Sequence, residues 1–149
     1  MTVTRKQPLV FEEFKAIYSK VPRLCVDLII KTDGGILLTL RQKNGYEGQW
    51  HLPGGTVHYR EAVEDSVSRI AKEELGVEVS VERLVGYIEC FSEEQERGFG
   101  YAISLVFLCK LKTHTFKLDD QVEKMGFFKY PPDNTIQEQK RFLMVNTIS

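Results

Sequence analysis

The sequence predicts an α+β fold, a mixed sheet lying between helices, in a single domain over residues 1–149. Three observations predict it. β-rich stretches are interspersed with two or three helical patterns, so neither type forms one long block. The apolar runs "RLCVDLIIK" and "ILLTLRQ" are separated by the turn signal "DGG". The chain has 149 residues, of which 42% are hydrophobic and 28% charged, which suits one core and not two.

The elements follow in order. "FEEFKAIYSKV" has Phe11, Phe14, Ile17 and Tyr18 at helical spacing and reads as a short amphipathic helix. "RLCVDLIIK" is a strand that turns through "DGG" into a second, "ILLTLRQ". "NGYEGQWHLPGG" is loop and turn around a brief extended piece at 50–52. A Gly-Gly turn then opens a long helix over about 61–75, which Gly76 stops. "VEVSVERLVGYIECF" and "YAISLVFLCKLK" read as neighbouring antiparallel strands, joined by the polar, acidic connection "SEEQERGFG". "VEKMGFFKY" reads as a last strand and "NTIQEQKRFLMV" as a closing helix.

The long helix carries an anomaly. At about 100° per residue, Val63, Val67, Ile70, Ala71 and Leu75 fall within an arc of roughly 140°. Glu61, Asp65, Ser68 and Lys72 fall opposite, on solvated surface. Glu74 lands inside the apolar arc, between Val63 and Val67, and Arg69 and Glu73 line its edge. An inward carboxylate is expensive unless it is paired or binds a cation. The plain structural alternatives are that Glu74 bends out past the helix end and that Arg69 and Glu73 form a surface i, i+4 pair. Gly54 and Gly55 add backbone that can approach a ligand closely. Backbone oxygen plus carboxylates suits a hard cation, Mg²⁺ or Mn²⁺.

Bulk properties narrow the partners. Lys and Arg total 20 against 21 Asp and Glu, a net charge of -1. That gives no bulk electrostatic case for nucleic acid or an anionic membrane. Cys25, Cys90 and Cys109 are odd in number and scattered, which argues against a disulfide framework or structural zinc, and a reduced cytoplasmic setting is the expectation. "MTVTRKQPLVFEEF" lacks a signal peptide's apolar run, and "YAISLVFLC" is too short to span a bilayer.

Residues 55–77 resemble the box of the Nudix hydrolase superfamily, G-x5-E-x7-R-E-U-x-E-E-x-G-U, with U a bulky aliphatic. Gly55, Glu61, Arg69, Glu73, Glu74, Gly76 and Val77 fall in register. The preceding "GQWHLPGG" resembles the family's approach to the box. The resemblance implies a Nudix-type α/β/α sandwich. It also implies divalent-metal-dependent hydrolysis of a small-molecule nucleoside diphosphate derivative, with a homodimer as a common state. On that resemblance Glu73, Glu74 and the Gly55 carbonyl hold Mg²⁺ or Mn²⁺, Arg69 orients the glutamates, and Glu61 supports them. Glu73 is one candidate for the base, and the loop glutamates Glu93, Glu94 and Glu96 are others, read against an ordinary solvated charge run. Two positions depart: Ile70 stands where the box has Glu, and Ala71 where it has a bulky aliphatic.

One branch with an altered box is the GDP-mannose mannosyl hydrolases. The chain is similar to them in its leading helix, in Asp27 and Arg41, and in "DDQ" ending at Gln121. That likeness implies Gln121 as a further metal ligand and Asp27 and Arg41 as substrate contacts. The branch's catalytic His is replaced by Val122, and the Arg after its Gly-Gly by Thr56. Attack at phosphorus is therefore the first expectation, cleavage at the sugar carbon the second, and a weakly catalytic nucleotide-binding module the third. Trp50, set against a core role, and Tyr46 are weighed as stacking surfaces for base or sugar. His51 and His58 read as half-exposed structural histidines beside the Gly-Gly turn, and His114 as a loop residue.

Overall fold

β1 (Arg23–Thr32) is the centre of the fold, and its sequence shows why: Cys25 to Ile30 are all buried, the continuous pattern of a strand covered on both faces. The computed structural model describes residues 9–120 and 122–146. Before β1 lies α1 (Phe11–Tyr18). After it come β2 (Gly35–Arg41), β3 (Trp50–His51), β4 (Gly54–Thr56), α2 (Val63–Ile70) and a π-helical turn (Ala71–Leu75). β5 (Val79–Cys90), α3 (Glu93–Arg97), β6 (Ala102–Leu111), β7 (Val122–Phe128) and α4 (Gln137–Val145) complete the chain.

The sheet runs β3-β2-β1-β6-β5, with β4 also paired to β1 and β7 to β2. β1 is parallel to β6 and antiparallel to β2 and β4, so the sheet is mixed, as the sequence predicts. β5 and β6 are antiparallel neighbours, also as predicted. β1 divides its free edge: Cys25, Val26 and Asp27 face β4, and Lys31 and Thr32 face β2. Leu28, between them, donates its N–H to the Pro53 carbonyl at 2.8 Å.

Two cores lie on the two faces. Val26, Leu28 and Ile30 pack with Val67, Ile70, Ala71 and Leu75 from α2 and the π turn. Ile29, Leu38, Leu52 and Val106 pack with Phe142 and Leu143 of α4. The helices thus flank the sheet in the α/β/α order that the resemblance implied. No helix among the described residues is long and apolar enough to cross a membrane.

Three local expectations need correction. Gly54 and Gly55 form no turn: they are strand residues paired with Asp27 and Val26. Glycine is required there for proximity, since a Cβ on Gly54 would collide with Asp27 Oδ1 and stand 2.5 Å from the Val26 carbonyl. The helix starts at Val63, not Glu61, and widens after Ile70 into the π turn, so the regular wheel fails over its last five residues. Gly76 still ends it, at φ 69°. "SEEQERGFG" contains the short helix α3, and Glu93 within it is buried.

Candidate active site

The π turn is what turns two successive glutamates to one side. One extra residue in the turn shifts the phase, so Glu73 and Glu74 both line a cleft while Ala71 and Leu75 stay in the core. The orphan carbonyls of this widened end are met by the segment after β6. Lys117 N–H donates to Leu75 O at 2.8 Å and Asp119 N–H to Glu74 O at 3.0 Å.

Glu74 Oε1 accepts the Gly54 N–H at 3.0 Å. The strand and the helix end, about twenty residues apart in sequence, therefore meet. Burial pushes Glu74 up to about 8, against the Gly54 N–H and the Arg41 guanidinium, which favour the ionised form. Asp27 stands on the other side of Gly54, accepts the Ser104 hydroxyl at 2.7 Å, and is pushed by burial up to about 6.

Arg69 is the hub of the helix side. Its Nε donates to Glu61 Oε2 at 2.8 Å and its Nη2 to Glu61 Oε1 at 3.1 Å, a bidentate pair. Nη1 reaches Glu73 Oε2 at 3.3 Å and Nη2 the Thr56 carbonyl at 2.8 Å. Burial alone would raise Glu61, but Arg69 and the His58 N–H at 3.0 Å outweigh it and hold it low. Glu61 lies behind Arg69, outside the cleft lining.

The cleft has a volume of about 820 Å³. Asp27, Arg41, Gly55, Arg69, Glu73 and Glu74 all line it. Arg41 is held in place by the carbonyls of Lys43, Asn44 and Gly45 at 3.1–3.2 Å. Gln121 lies outside the described residues. Trp50 is a correction: its ring packs edge-on against Phe128 at 4.8 Å and does not line the cleft. Tyr46 does line it and is buried, its hydroxyl 2.7 Å from Ser92 Oγ. His51 is fully buried on Thr39, and burial lowers it to about 4, so it is a neutral core histidine. Glu93 Oε1 binds Arg23 and, at 3.5 Å, Arg97, while Glu94 and Glu96 are exposed and off the cleft.

Ile70 is buried under Gly55: a Cβ on that glycine would lie 3.2 Å from Ile70 Cδ1. It is a packing residue and supplies no ligand.

Sequence reasoning missed Arg23 and Ser104, and it offered Glu93 only as a loop glutamate. Arg23 had a signal: Arg23, Cys25 and Asp27 alternate along β1, and all three line the cleft. Ser104 is placed by strand register and had none, and the burial of Glu93 against Arg23 had none either.

The donor set is oxygen only: Glu73, Glu74 and nearby backbone. Among the described residues, no three His, Cys, Asp or Glu side chains gather closely enough to cage a metal alone. Two carboxylates with room for phosphate oxygens fit Mg²⁺ or Mn²⁺, which bind through few carboxylates plus substrate.

Known proteins share this pattern. The family model of the NUDIX domain matches residues 21–142. The chain is 33% identical over 135 residues to the low-salt glycan biosynthesis protein Agl8 of Haloferax volcanii, covering 89% of this chain and 86% of that one. It is 36% identical over 107 residues to an ADP-ribose pyrophosphatase of Methanocaldococcus jannaschii, covering 72% of this chain and 62% of that one. Its structure resembles a MutT NUDIX hydrolase of Burkholderia pseudomallei with TM-score 0.73 and 28% identity, over 86% of this chain and all of that one. The box in register, the cleft it builds and these likenesses agree: the chain belongs to the Nudix hydrolase family.

Proposed function

We propose that the chain hydrolyses the pyrophosphate bond of a nucleoside diphosphate linked to another group, with Mg²⁺ or Mn²⁺ and attack at phosphorus. The observation that carries this reading is the meeting of Glu73 and Glu74 with the Gly54–Gly55 backbone in one cleft, with Arg69 holding Glu73. A bound cation would neutralise pyrophosphate charge and lower the pKa of the attacking water.

The chain's own residues do the rest. Gly54 N–H fixes one Glu74 oxygen and leaves the carboxylate to face the cation. Arg69, anchored on Glu61, keeps Glu73 at the cleft wall, where it orients and accepts a proton from water. Asp27, raised to about 6, stands close enough to neutral pH to pass a proton to a leaving oxygen. Arg41 and Arg23, which also line the cleft, give cationic contacts for phosphate.

A second reading, cleavage of a nucleotide sugar at the sugar carbon, draws on Asp27 in the cleft and on the glycan-biosynthesis role in the name of the Haloferax relative. The test is a turnover screen with Mg²⁺ and Mn²⁺ in ¹⁸O-labelled water. It covers nucleoside triphosphates, dinucleotides, ADP-ribose and GDP- and UDP-sugars. Label in a phosphate product supports attack at phosphorus. Label in a released sugar supports the second reading, and binding without turnover overturns both.

A further inference from the structure

α1 contributes nothing to the core: none of its residues is buried. Yet Phe11, Phe14, Ile17 and Tyr18 share one helical face, and all four line the cleft. A surface helix ordinarily turns such a face to the core. This one is held from its flank. Phe11 and Phe14 pack edge-on against Phe99 at 6.0 and 6.2 Å, and the Arg23 and Arg97 guanidiniums stand 5.7 and 5.6 Å from the Phe14 ring. Phe11 remains 62% exposed and Ile17 39%.

We propose that this face of α1 is the subsite for the nucleobase of the substrate. The proposal rests on the hydrolase reading above and deepens it. Its ground is the continuity of the cleft. Thr56 joins the two ends: its carbonyl accepts from Arg69 at 2.8 Å and its hydroxyl from Arg23 at 2.7 Å. From the carboxylate end the cleft passes Arg23 and Arg97, then reaches the apolar face. Those two cations share one carboxylate, Glu93, and so set guanidinium donors between the two ends. A nucleoside diphosphate matches that order: metal-bound phosphate, remaining negative charge, then a flat aromatic ring.

The face selects a base over the sugar group. A sugar brings hydroxyls that Phe11, Phe14 and Ile17 cannot hydrogen-bond. A base offers two apolar faces, and stacking on aromatic side chains is worth about 1–3 kcal/mol per base. The cleft volume of about 820 Å³ also fits a ligand larger than pyrophosphate and its cation.

The experiment is calorimetric binding of GDP, ADP, UDP and CDP in Mg²⁺, with inorganic pyrophosphate as the probe without a base. Wild type, Phe11→Ala, Ile17→Ala and Phe11→Tyr are compared. Phe11 and Ile17 are exposed, so their removal leaves the core intact. The expected result is that at least one nucleoside diphosphate binds about tenfold or more tightly than pyrophosphate. Phe11→Ala then removes about tenfold of that gain, Phe11→Tyr restores it, and pyrophosphate binding stays within about twofold throughout. Nucleotide binding untouched by both alanine variants overturns the proposal and leaves the hydrolase reading standing. So does an equal loss for pyrophosphate, which would make α1 a support for the phosphate end. So does a drop in self-association by sedimentation without change in affinity, which would seat a second copy on α1. No binding of any probe and no turnover overturns the proposal and the hydrolase reading together.

Discussion

Glu74→Gln separates the stability of the fold from the chemistry of the site. Glutamine keeps the shape and the acceptor for the Gly54 N–H and removes the charge. Burial moves Glu74 from its ordinary 4.5 to about 8. The folded chain therefore binds this proton more tightly than the unfolded one, and stability falls as pH rises from 4.5 towards 8. At pH 7, folding must protonate a carboxylate that is ionised in the unfolded chain. That is worth roughly 3 kcal/mol at about 1.36 kcal/mol per pH unit. The side chain is partly exposed, and solvent screening reduces the effect to about 1–2 kcal/mol.

In EDTA at pH 7, the Gln variant is therefore expected to melt about 2–8 °C above wild type. At pH 5 the difference should shrink to about a quarter, because the unfolded carboxyl is then only about half a unit above its own midpoint. In saturating Mg²⁺ the order should reverse at pH 7, because the cation stabilises the ionised wild type and the variant has lost a ligand. Turnover should fall by about 100-fold or more. Scanning calorimetry at the two pH values, with and without Mg²⁺, reads all of this. A metal-free variant no more stable than wild type at pH 7, or an advantage equally large at pH 5, refutes the reasoning.

Three further perturbations have defined outcomes. Gly54→Ala drives a methyl group into Asp27 Oδ1 and the Val26 carbonyl, and is expected to cost about 1–3 kcal/mol in urea unfolding and to abolish turnover. Arg69→Ala strands the buried Glu61 carboxylate and should cost about 3–5 kcal/mol, while Arg69→Ala with Glu61→Gln should recover a large part of it; equal losses in single and double variants would show that the pair is not coupled. Ile70→Glu restores the usual box residue but places a charge in the α2-side core, so it should lower metal-free stability by about 2–4 kcal/mol and regain some of it with Mn²⁺; unchanged melting with higher turnover would show that the position was never needed for packing.

Much of the site was legible because its residues are fixed by spacing. Arg69, Glu73 and Glu74 lie on one continuous helical segment, and Glu61 and Gly55 precede it at set distances, so a local pattern carries most of the constellation. The succession of β1 and β2 through "DGG" and the antiparallel pairing of β5 with β6 were legible for a similar reason, since each pair is adjacent in the chain. What could not be read was set by contacts distant in sequence. The phase change that lets Glu73 and Glu74 both face the cleft comes from a π turn, and a wheel at fixed pitch cannot show one. Gly54 and Gly55 looked like a turn because glycine marks turns far more often than the close approach of a strand to an aspartate. Trp50 looked like a stacking surface because it sits next to the box in sequence, but the register of β2 with β7 brings Phe128 against its ring. α1 was legible as an amphipathic helix, and only the fold shows that its apolar side meets the cleft instead of the sheet.

On the proposed hydrolase reading, Ile70 also bears on how a cation would be held. With an apolar side chain packed under Gly55, the β4–α2 wall is closed by van der Waals contact and does not depend on a metal for its shape. On the proposed reading, the ligands among the described residues would be Glu73, Glu74 and backbone, too few to complete the six-oxygen shell that Mg²⁺ demands. Water and substrate phosphates would supply the rest. Metal alone should therefore bind weakly, and metal and nucleotide should tighten each other by the same factor, since coupling between two ligands is reciprocal. The measurement is the Mn²⁺ dissociation constant by electron paramagnetic resonance, with and without a nucleoside diphosphate, together with the nucleotide's own constant with and without Mn²⁺. A mutual gain of about tenfold or more is expected. Tight Mn²⁺ binding that nucleotide leaves unchanged would mean that the chain completes the shell by itself, and that the isoleucine removed no ligand the site needed.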